Sequence, residues 1–321
     1  MVNKLIWKSA LILFSFISLV IFPGFSEKDE IVVIANKRNF IIIGDTQRIG
    51  FWESLYWDYW SEHNKEKTKL LFKEIAREEP DFILHLGDLT RDGGNDTAWN
   101  EFDEDYQFVK EKGIPVFPVF GNHEYFGNEE TLLINWNKRF PQIKGRKWYS
   151  LDYDELGIIM FNSNFDELNE NDKAEQLKWY AEKLHEMETD NRIKKIIVAG
   201  HHPPFTNSKI VNPNLDVAKY YVEPFEKTKK GILFFSGHCH SYEKFVRSGK
   251  YFIVSGGGGG PRQKLNTNKL TRKFDDKFNG PVTRFFHFCK LSVNQDSIYL
   301  DVVGLDKGNH FIIKDNFRFK K

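Results

Sequence analysis

Five short stretches of this chain carry residue types that bind divalent ions. They are Gly44-Asp45-Thr46-Gln47, Gly87-Asp88-Leu89-Thr90-Arg91-Asp92, Gly121-Asn122-His123-Glu124, Gly200-His201-His202-Pro203-Pro204 and Gly237-His238-Cys239-His240. Carboxylate, amide and imidazole, with no thiolate required, suit Mn, Fe or Zn. If the chain stays extended past Ser236, His238 and His240 point one way and Cys239 the other, with the imidazoles about 7 Å apart. Two such rings can each reach a different ion of a pair about 3.5–4 Å apart. Two ions need a shared anion, and Asp88 is the natural bridge. Asn122 offers a neutral amide oxygen, a weak ligand that completes a sphere already held by stronger ones. A lone His-x-His is more often a pair of solvated loop histidines, so the coincidence of five turns carries the reading.

Each turn must be delivered by an element. Phe40 to Gly44, Phe82 to Leu86, Pro115 to Phe120, Lys195 to Ala199 and Gly231 to Ser236 are short apolar runs that read as buried strands. Helices are expected from Lys65 to Glu79, stopped by Pro80. A second starts at the N-cap Asp96 and ends at Gly113; a third opens at Asp172 and turns Leu177, Ala181 and Leu184 inward. Trp148 to Asp152 and Ile158 to Asn162 read as an antiparallel pair. Tyr251 to Ser255, His287 to Val293 and Ile298 to Val303 read as later antiparallel strands. Strands alternating with helices, then a run of strands, indicate α/β units joined to a partly antiparallel second sheet. Ligands of open α/β sheets gather at the carboxyl ends of the strands, where all five turns fall. A glycine before each turn gives the backbone freedom to bend.

The composition sets the frame for that sheet. The 321 residues include 30 Phe and are 16% aromatic, enough apolar volume for one large core. A formal charge of +1 gives no bias toward nucleic acid. Lys4 and Lys8, the apolar run Ser9 to Phe22 and then Gly24-Phe25-Ser26 have the pattern of a secretory signal peptide over residues 1–26. An uncleaved membrane anchor is the alternative, and either places the remainder outside the cytoplasm, periplasmic or secreted. Residues 27–321 read as one domain. Cys239 and Cys289 make no disulfide framework, and Cys289 reads as a small core residue. His85 and His287 lie inside apolar strands and read as core histidines. Gly256 to Gly260 lacks the Lys-Ser/Thr of a phosphate loop and reads as a turn that lets backbone approach the site.

With its five blocks in the order GDTQ, GDLTRD, GNHE, GHHPP and GHCH, the chain from 40 to 304 resembles the calcineurin-like metallophosphoesterase superfamily. Any one block is weak; the five in order are specific. Gly121 to Asn128 and the later Phe140-Pro141 are most similar to the purple acid phosphatase branch. The resemblance implies a four-layer α/β-β/α sandwich, two mixed sheets flanked by helices, with a dinuclear centre on one edge. It implies that Asp45, Gln47, Asp88 and His240 hold one ion and that Asp88, Asn122, His201 and His238 hold the other. His123 would face the substrate and protonate the leaving oxygen. The ion pair would clamp phosphate oxygens and acidify a bridging water that attacks in line.

Three positions depart from the family pattern. Gln47 stands where the first block usually has His. Arg91 stands where purple acid phosphatases carry a metal-binding Tyr. Asp92 lies one residue late for the Asp that pairs with the catalytic His in protein phosphatases. Arg91 could meet substrate phosphate, although a surface salt bridge is its commoner role; His202 is a second candidate for substrate contact, with plain packing as its alternative. The expected activity is hydrolysis of a small-molecule phosphate ester or phosphorylated substrate, with a phosphatase favoured over a phosphodiesterase or nucleotidase. A non-catalytic metal-binding scaffold is the other alternative. Arg48 to His63 and Arg91 to Asn95 are the segments expected to choose the substrate.

Overall fold

A computed structural model of the chain describes residues 30–50 and 64–321. The expected leader over 1–26 and residues 51–63 of the segment expected to choose the substrate lie outside the described residues. The strands are β1 (Glu30–Val33), β2 (Asn39–Ile43), β3 (Ile83–His85), β4 (Val116–Pro118), β5 (Tyr149–Tyr153), β6 (Leu156–Met160) and β7 (Lys195–Ala199). They continue with β8 (Gly231–Ser236), β9 (Tyr242–Arg247), β10 (Lys250–Ser255), β11 (His287–Val293), β12 (Ser297–Leu305) and β13 (Phe311–Lys320). Four helices intervene: α1 (Asn64–Glu78), α2 (Asp96–Glu111), α3 (Glu129–Arg139) and α4 (Glu170–Thr189). Short helical turns at Leu215–Val217, Ala218–Val222 and Glu223–Lys227 lead into β8.

The strands form two mixed sheets, ordered β1-β5-β6-β7-β8-β10-β9 and β13-β12-β11-β2-β3-β4. Strands that read as unbroken apolar runs sit in the middle of each sheet, because both of their faces are covered. The two-residue period of a strand then divides its side chains between two cores. On β6 and β7, Ile158, Met160, Ile197 and Ala199 join the core between the sheets. Their neighbours Ile159, Ile196 and Val198 join an outer core with Tyr180, Leu184 and Met187 of α4 and Phe225 of the later turns. On the other side, α1 and α2 cover the six-stranded sheet with Leu71, Phe72, Ile75, Trp99 and Phe102. The result is the α/β sandwich of two mixed sheets and flanking helices that the resemblance implies.

Several element boundaries differ from the sequence reading. Helix α2 is capped by Asn95, whose side chain accepts from the Thr97 N–H at 2.9 Å, not by Asp96. Helix α4 starts earlier, behind Asn169, and its inward face is Gln176, Tyr180, Lys183, Leu184 and Met187, with Ala181 exposed. The polar Gln176 is buried because its amide bonds the backbone of Asn162, at 2.7 and 2.9 Å, where β6 runs out. Apolar periodicity does not detect a residue buried for that reason. Strand β10 pairs antiparallel with β9, as expected, but lies parallel to β8; β1, β9 and β13 were not expected at all.

The sheets interlock through aromatic rings. Phe40 stacks on Phe82 with centroids 4.6 Å apart, and both meet Tyr153 of the other sheet edge-on at 5.5 and 4.9 Å. All three are fully buried. Phe82→Ala should therefore cost about 3–5 kcal/mol, the range for large aromatic truncations in a core. Urea denaturation would show a lower midpoint with an unchanged slope; an unchanged midpoint would mean that the sheets do not depend on this contact.

Candidate metal centre

Five strands end at one edge of the sandwich: β2, β3 and β4 from one sheet, β7 and β8 from the other. The turns that follow them bring Asp45, Gln47, Asp88, Asn122, His201, His238 and His240 together. Three of these residues sit in the left-handed region, Asp45 at φ 60°, Asp88 at 54° and His238 at 65°. Such a conformation costs on the order of 1–3 kcal/mol per residue and survives only where its surroundings over-determine it. Here they do. Asp45 N–H donates to Gly87 O and Thr46 N–H to Asp88 O, both at 3.0 Å, while the His238 N–H reaches the Asp45 carboxylate at 2.8 Å.

The glycines before the turns mostly serve another purpose than bending. Of the five, only Gly87 uses a positive φ, 90°. A Cβ on Gly121 would stand 2.1 Å from Asp88 Oδ1, and one on Gly237 would stand 2.5 Å from Asp45 Oδ2. They are glycines because the carboxylates occupy the space a side chain would need. The chain also does not stay extended through His238, so strand alternation is not what aims the two histidines. The left-handed turn at His238 does it, and still sends the rings to different neighbours. One nitrogen each of His201, His202 and His238 converge within 4.8 Å, and so do single ligand atoms of Asp45, Asp88 and His240. Cys239 turns to Thr206, with its sulfur 3.2 Å from the hydroxyl.

Backbone carbonyls set the tautomers of the buried rings. His201 Nδ1 donates to Leu86 O and His240 Nδ1 to Pro261 O, each at 2.8 Å, which leaves a lone pair on each Nε2. The His201 lone pair faces Asp88 Oδ2 at 3.4 Å and Asn122 Oδ1 at 3.1 Å. That of His240 faces Asp45 Oδ1 at 3.5 Å. Gln47 satisfies its amide nitrogen by donating to the Asp45 and Asp88 carbonyls at 3.3 and 3.1 Å; its oxygen then points at His240 Nε2, 3.2 Å away. The same end of that amide lies 3.3 Å from Asp88 Oδ2. Acceptor atoms thus crowd together in a buried site, a setting that a cation between them would satisfy.

The electrostatics agree. Burial opposes a charged His201, yet Asp88 beside it raises its pKa to about 9. Burial likewise opposes ionisation of Asp88, but His201, with His123 and His238, holds it well below the usual carboxylate range. Burial, with the charge of Asp88, pushes Asp45 up. Burial lowers His240 to about 4, so its ring favours the neutral form with a lone pair on Nε2. The donor set fits metal ions: Asp45, Asp88 and His240 form one candidate group, and His201, His202 and His238 form a second.

The floor of the site is buried and its mouth is lined by Asn122, His123, His202 and His238, all partly exposed. His123 Nδ1 donates to the Arg91 carbonyl at 2.9 Å, so Nε2 faces inward, 4.0 Å from Asp88 Oδ2. The acceptor that orients this ring is therefore a backbone oxygen. Asp92 is occupied elsewhere, accepting from the Gly94 N–H at 3.1 Å. The Arg91 guanidinium pairs closely with Glu101. Arg48 pairs with Glu104 and Asp105 at 2.6 and 2.7 Å, and residues 51–63 of the expected substrate segment lie outside the described residues. Tyr125 points away, its hydroxyl accepting from Asn162 at 2.6 Å. His85 and His287 are core histidines, bonded to Thr46 and Ser255 hydroxyls at 3.0 Å.

Sequence reasoning gave no role to Glu124. Its buried carboxylate accepts the N–H groups of Asp88 and Leu89 at 2.8 Å, Thr90 at 3.3 Å and Gly121 at 2.7 Å. It ties the turn after β3 to the turn after β4. Burial and Asp88 raise it to about 7, against four donors that favour its charged form. The signal was its place beside His123: an acidic residue in an otherwise ligand-rich block that no ion in the expected set used.

The model of the family described as calcineurin-like phosphoesterase matches residues 38–242. No curated protein matches the chain. Solved structures share the fold at low identity. A purple acid phosphatase from yellow lupin (Lupinus luteus) seeds is 17% identical with a TM-score of 0.63, covering 89% of this chain and 54% of its own. GAP50, described as the anchor in the inner membrane complex of Plasmodium, is 18% identical with a TM-score of 0.62, covering 88% and 87%. A dimetal phosphatase from Danio rerio is 13% identical with a TM-score of 0.56, covering 86% and 99%.

Glu124→Gln keeps the shape and replaces half of the acceptor capacity with a donor that meets N–H groups. Hydrogen bonds to a charged group are worth about 1.5–3 kcal/mol each, so the variant should lose at least that much stability. Chemical denaturation of the metal-free protein measures it; a loss below half a kcal/mol, on the order of a surface substitution, would show that the strands alone hold the turns.

Proposed function

Because this chain belongs to the calcineurin-like phosphoesterase family, we propose that it is a dinuclear-metal hydrolase of phosphate esters, acting on monoesters more readily than on diesters. The observation that carries the reading is the convergence of lone pairs about Asp88, with His123 at the open side of the same carboxylate. A pair of Mn, Fe or Zn ions, when bound, supplies the positive charge that phosphate oxygens need and a water acidic enough to attack at neutral pH. In this proposal Asp45, Gln47 and His240 hold one ion, Asn122, His201 and His238 the other, and Asp88 both. His123 carries the proton for the leaving oxygen on Nε2, because its Nδ1 is committed to the Arg91 carbonyl. Negative charge grows on that oxygen as the ester bond breaks, and a positioned donor there lowers the barrier.

The name of GAP50 raises a second reading, a scaffold that keeps the fold without turnover. The intact donor set and an acid aimed into its mouth favour the enzyme. The residue pattern at 1–26 supports an exported enzyme, with a membrane anchor as the alternative.

Two measurements test the proposal. Asp88→Asn should empty both sites, seen by elemental analysis of the purified variant; two ions per chain would overturn the shared-ligand assignment. His123→Ala should keep both ions and lose about 10²–10⁴ of kcat on an alkyl phosphate, with a smaller loss on an activated aryl phosphate whose leaving group needs no proton. Equal activity of variant and parent on the alkyl ester removes His123 from the chemistry. A parent loaded with both ions and inactive on every phosphoester supports the scaffold.

A further inference from the structure

His202 sits among the ligand-type rings, 4.5 Å from His238 and 4.9 Å from His201 between centroids, yet its Nδ1 meets a hydroxyl. His201 and His240 give Nδ1–H to a carbonyl, whereas His202 Nδ1 lies 2.8 Å from the hydroxyl of Ser163. A hydroxyl has two lone pairs and one hydrogen. Both lone pairs of Ser163 Oγ are taken, by the His201 N–H at 3.2 Å and the His202 N–H at 2.9 Å. Its hydrogen is then free to go to His202 Nδ1, against the Ser163 carbonyl, which favours a ring N–H. The bond from the hydroxyl makes Nδ1 an acceptor and leaves the ring proton of neutral His202 on Nε2. Ser163 is buried and lies three residues past the end of β6, close to the sheet edge. His202 itself is partly exposed at the mouth.

A nitrogen that carries a proton has no lone pair for a metal. Resting on the phosphoesterase reading above, we propose that His202 is a catalytic residue that donates Nε2–H to a non-bridging phosphate oxygen of the substrate, and that Ser163 is the positioning residue that imposes this tautomer. Among the three clustered rings, His201 and His238 are then ligands and His202 is a donor. The assignment fits a substrate whose phosphate stands at the partly exposed side of the cluster, where His202 and His238 reach the mouth. Charge on the non-bridging oxygens shifts as the ester breaks, and a fixed neutral donor needs no reorganisation to follow it.

The experiment has a spectroscopic and a kinetic arm. In protein labelled with ¹⁵N-histidine and loaded with diamagnetic Zn, long-range ¹H–¹⁵N spectra should show His202 protonated at Nε2, assigned by loss of its signals in His202→Gln. In Ser163→Ala the proton should move to Nδ1, and Ser163→Thr, which keeps the hydroxyl, should restore the parent pattern. An Nδ1–H tautomer in the parent overturns the proposal without touching the phosphoesterase reading. His202→Gln should retain two ions by elemental analysis and lose about 10²–10³ of kcat, the usual cost of one such donor. Loss of an ion from His202→Gln, or undiminished kcat with both ions present, also overturns it. If the parent hydrolyses no phosphoester although the tautomer is as expected, the phosphoesterase reading fails and the catalytic assignment with it, while the Ser163 tautomer assignment stands.

Discussion

A buried carboxylate that must meet positive charge is the constraint on which this structure turns. Asp88 lies at the end of β3 with no exposure to speak of, and its oxygens face His201, Gln47 and the N–H of His123. Leaving an unpaired charge in such a place is prohibitive. Several costly features become intelligible as ways of serving it. Three residues hold a left-handed backbone, glycines keep their Cβ positions clear, and Glu124 places a second buried carboxylate beneath the first to hold the turns at their closest approach. The left-handed residues and the cleared Cβ positions carry a cost that a cation among the donors would offset, whereas Glu124 already holds the turns through its four N–H donors.

The carbonyl oxygens of Leu86, Pro261 and Arg91 act alongside the side chains. Each accepts from a histidine Nδ1 and so decides which nitrogen faces the site. Orientation by main-chain oxygens has a consequence for how the chain can vary. The identity of residue 91 is free as long as its backbone stays in place, which explains how an arginine paired with Glu101 can occupy that position.

Much of this was legible in the sequence, and the parts that were not share a cause. The apolar runs at Phe40, Phe82, Lys195 and Gly231 showed the central strands, because strands covered on both faces have no polar alternation to obscure them. Edge strands gave a fainter signal: β13 exposes Ile312 and Ile313 and mixes charged with apolar residues, and β1 is only Glu30–Val33. At the site, residue types announced the donors, but the roles of Glu124 and Ser163 depend on which N–H groups fold onto them. Gln176 was hidden for the same reason. A residue buried to satisfy backbone has no periodic signature, since the partner is distant in sequence and carries no side-chain label.

The donor set draws on both sheets, β2 to β4 supplying one part and β7 and β8 the other. An ion seated among Asp88, Asn122 and His201 would therefore bridge two halves that are also joined by the aromatic core and by polar links such as Tyr149 to the Pro118 carbonyl. By mass action, free metal at about a hundred times its dissociation constant would deepen the native well by about 2.7 kcal/mol per site, provided the unfolded chain binds none. If the proposed ions bind, metal supply would govern the lifetime of the polypeptide as well as its chemistry. A copy that missed its ions would open along the seam more often, and a protease would meet that copy first.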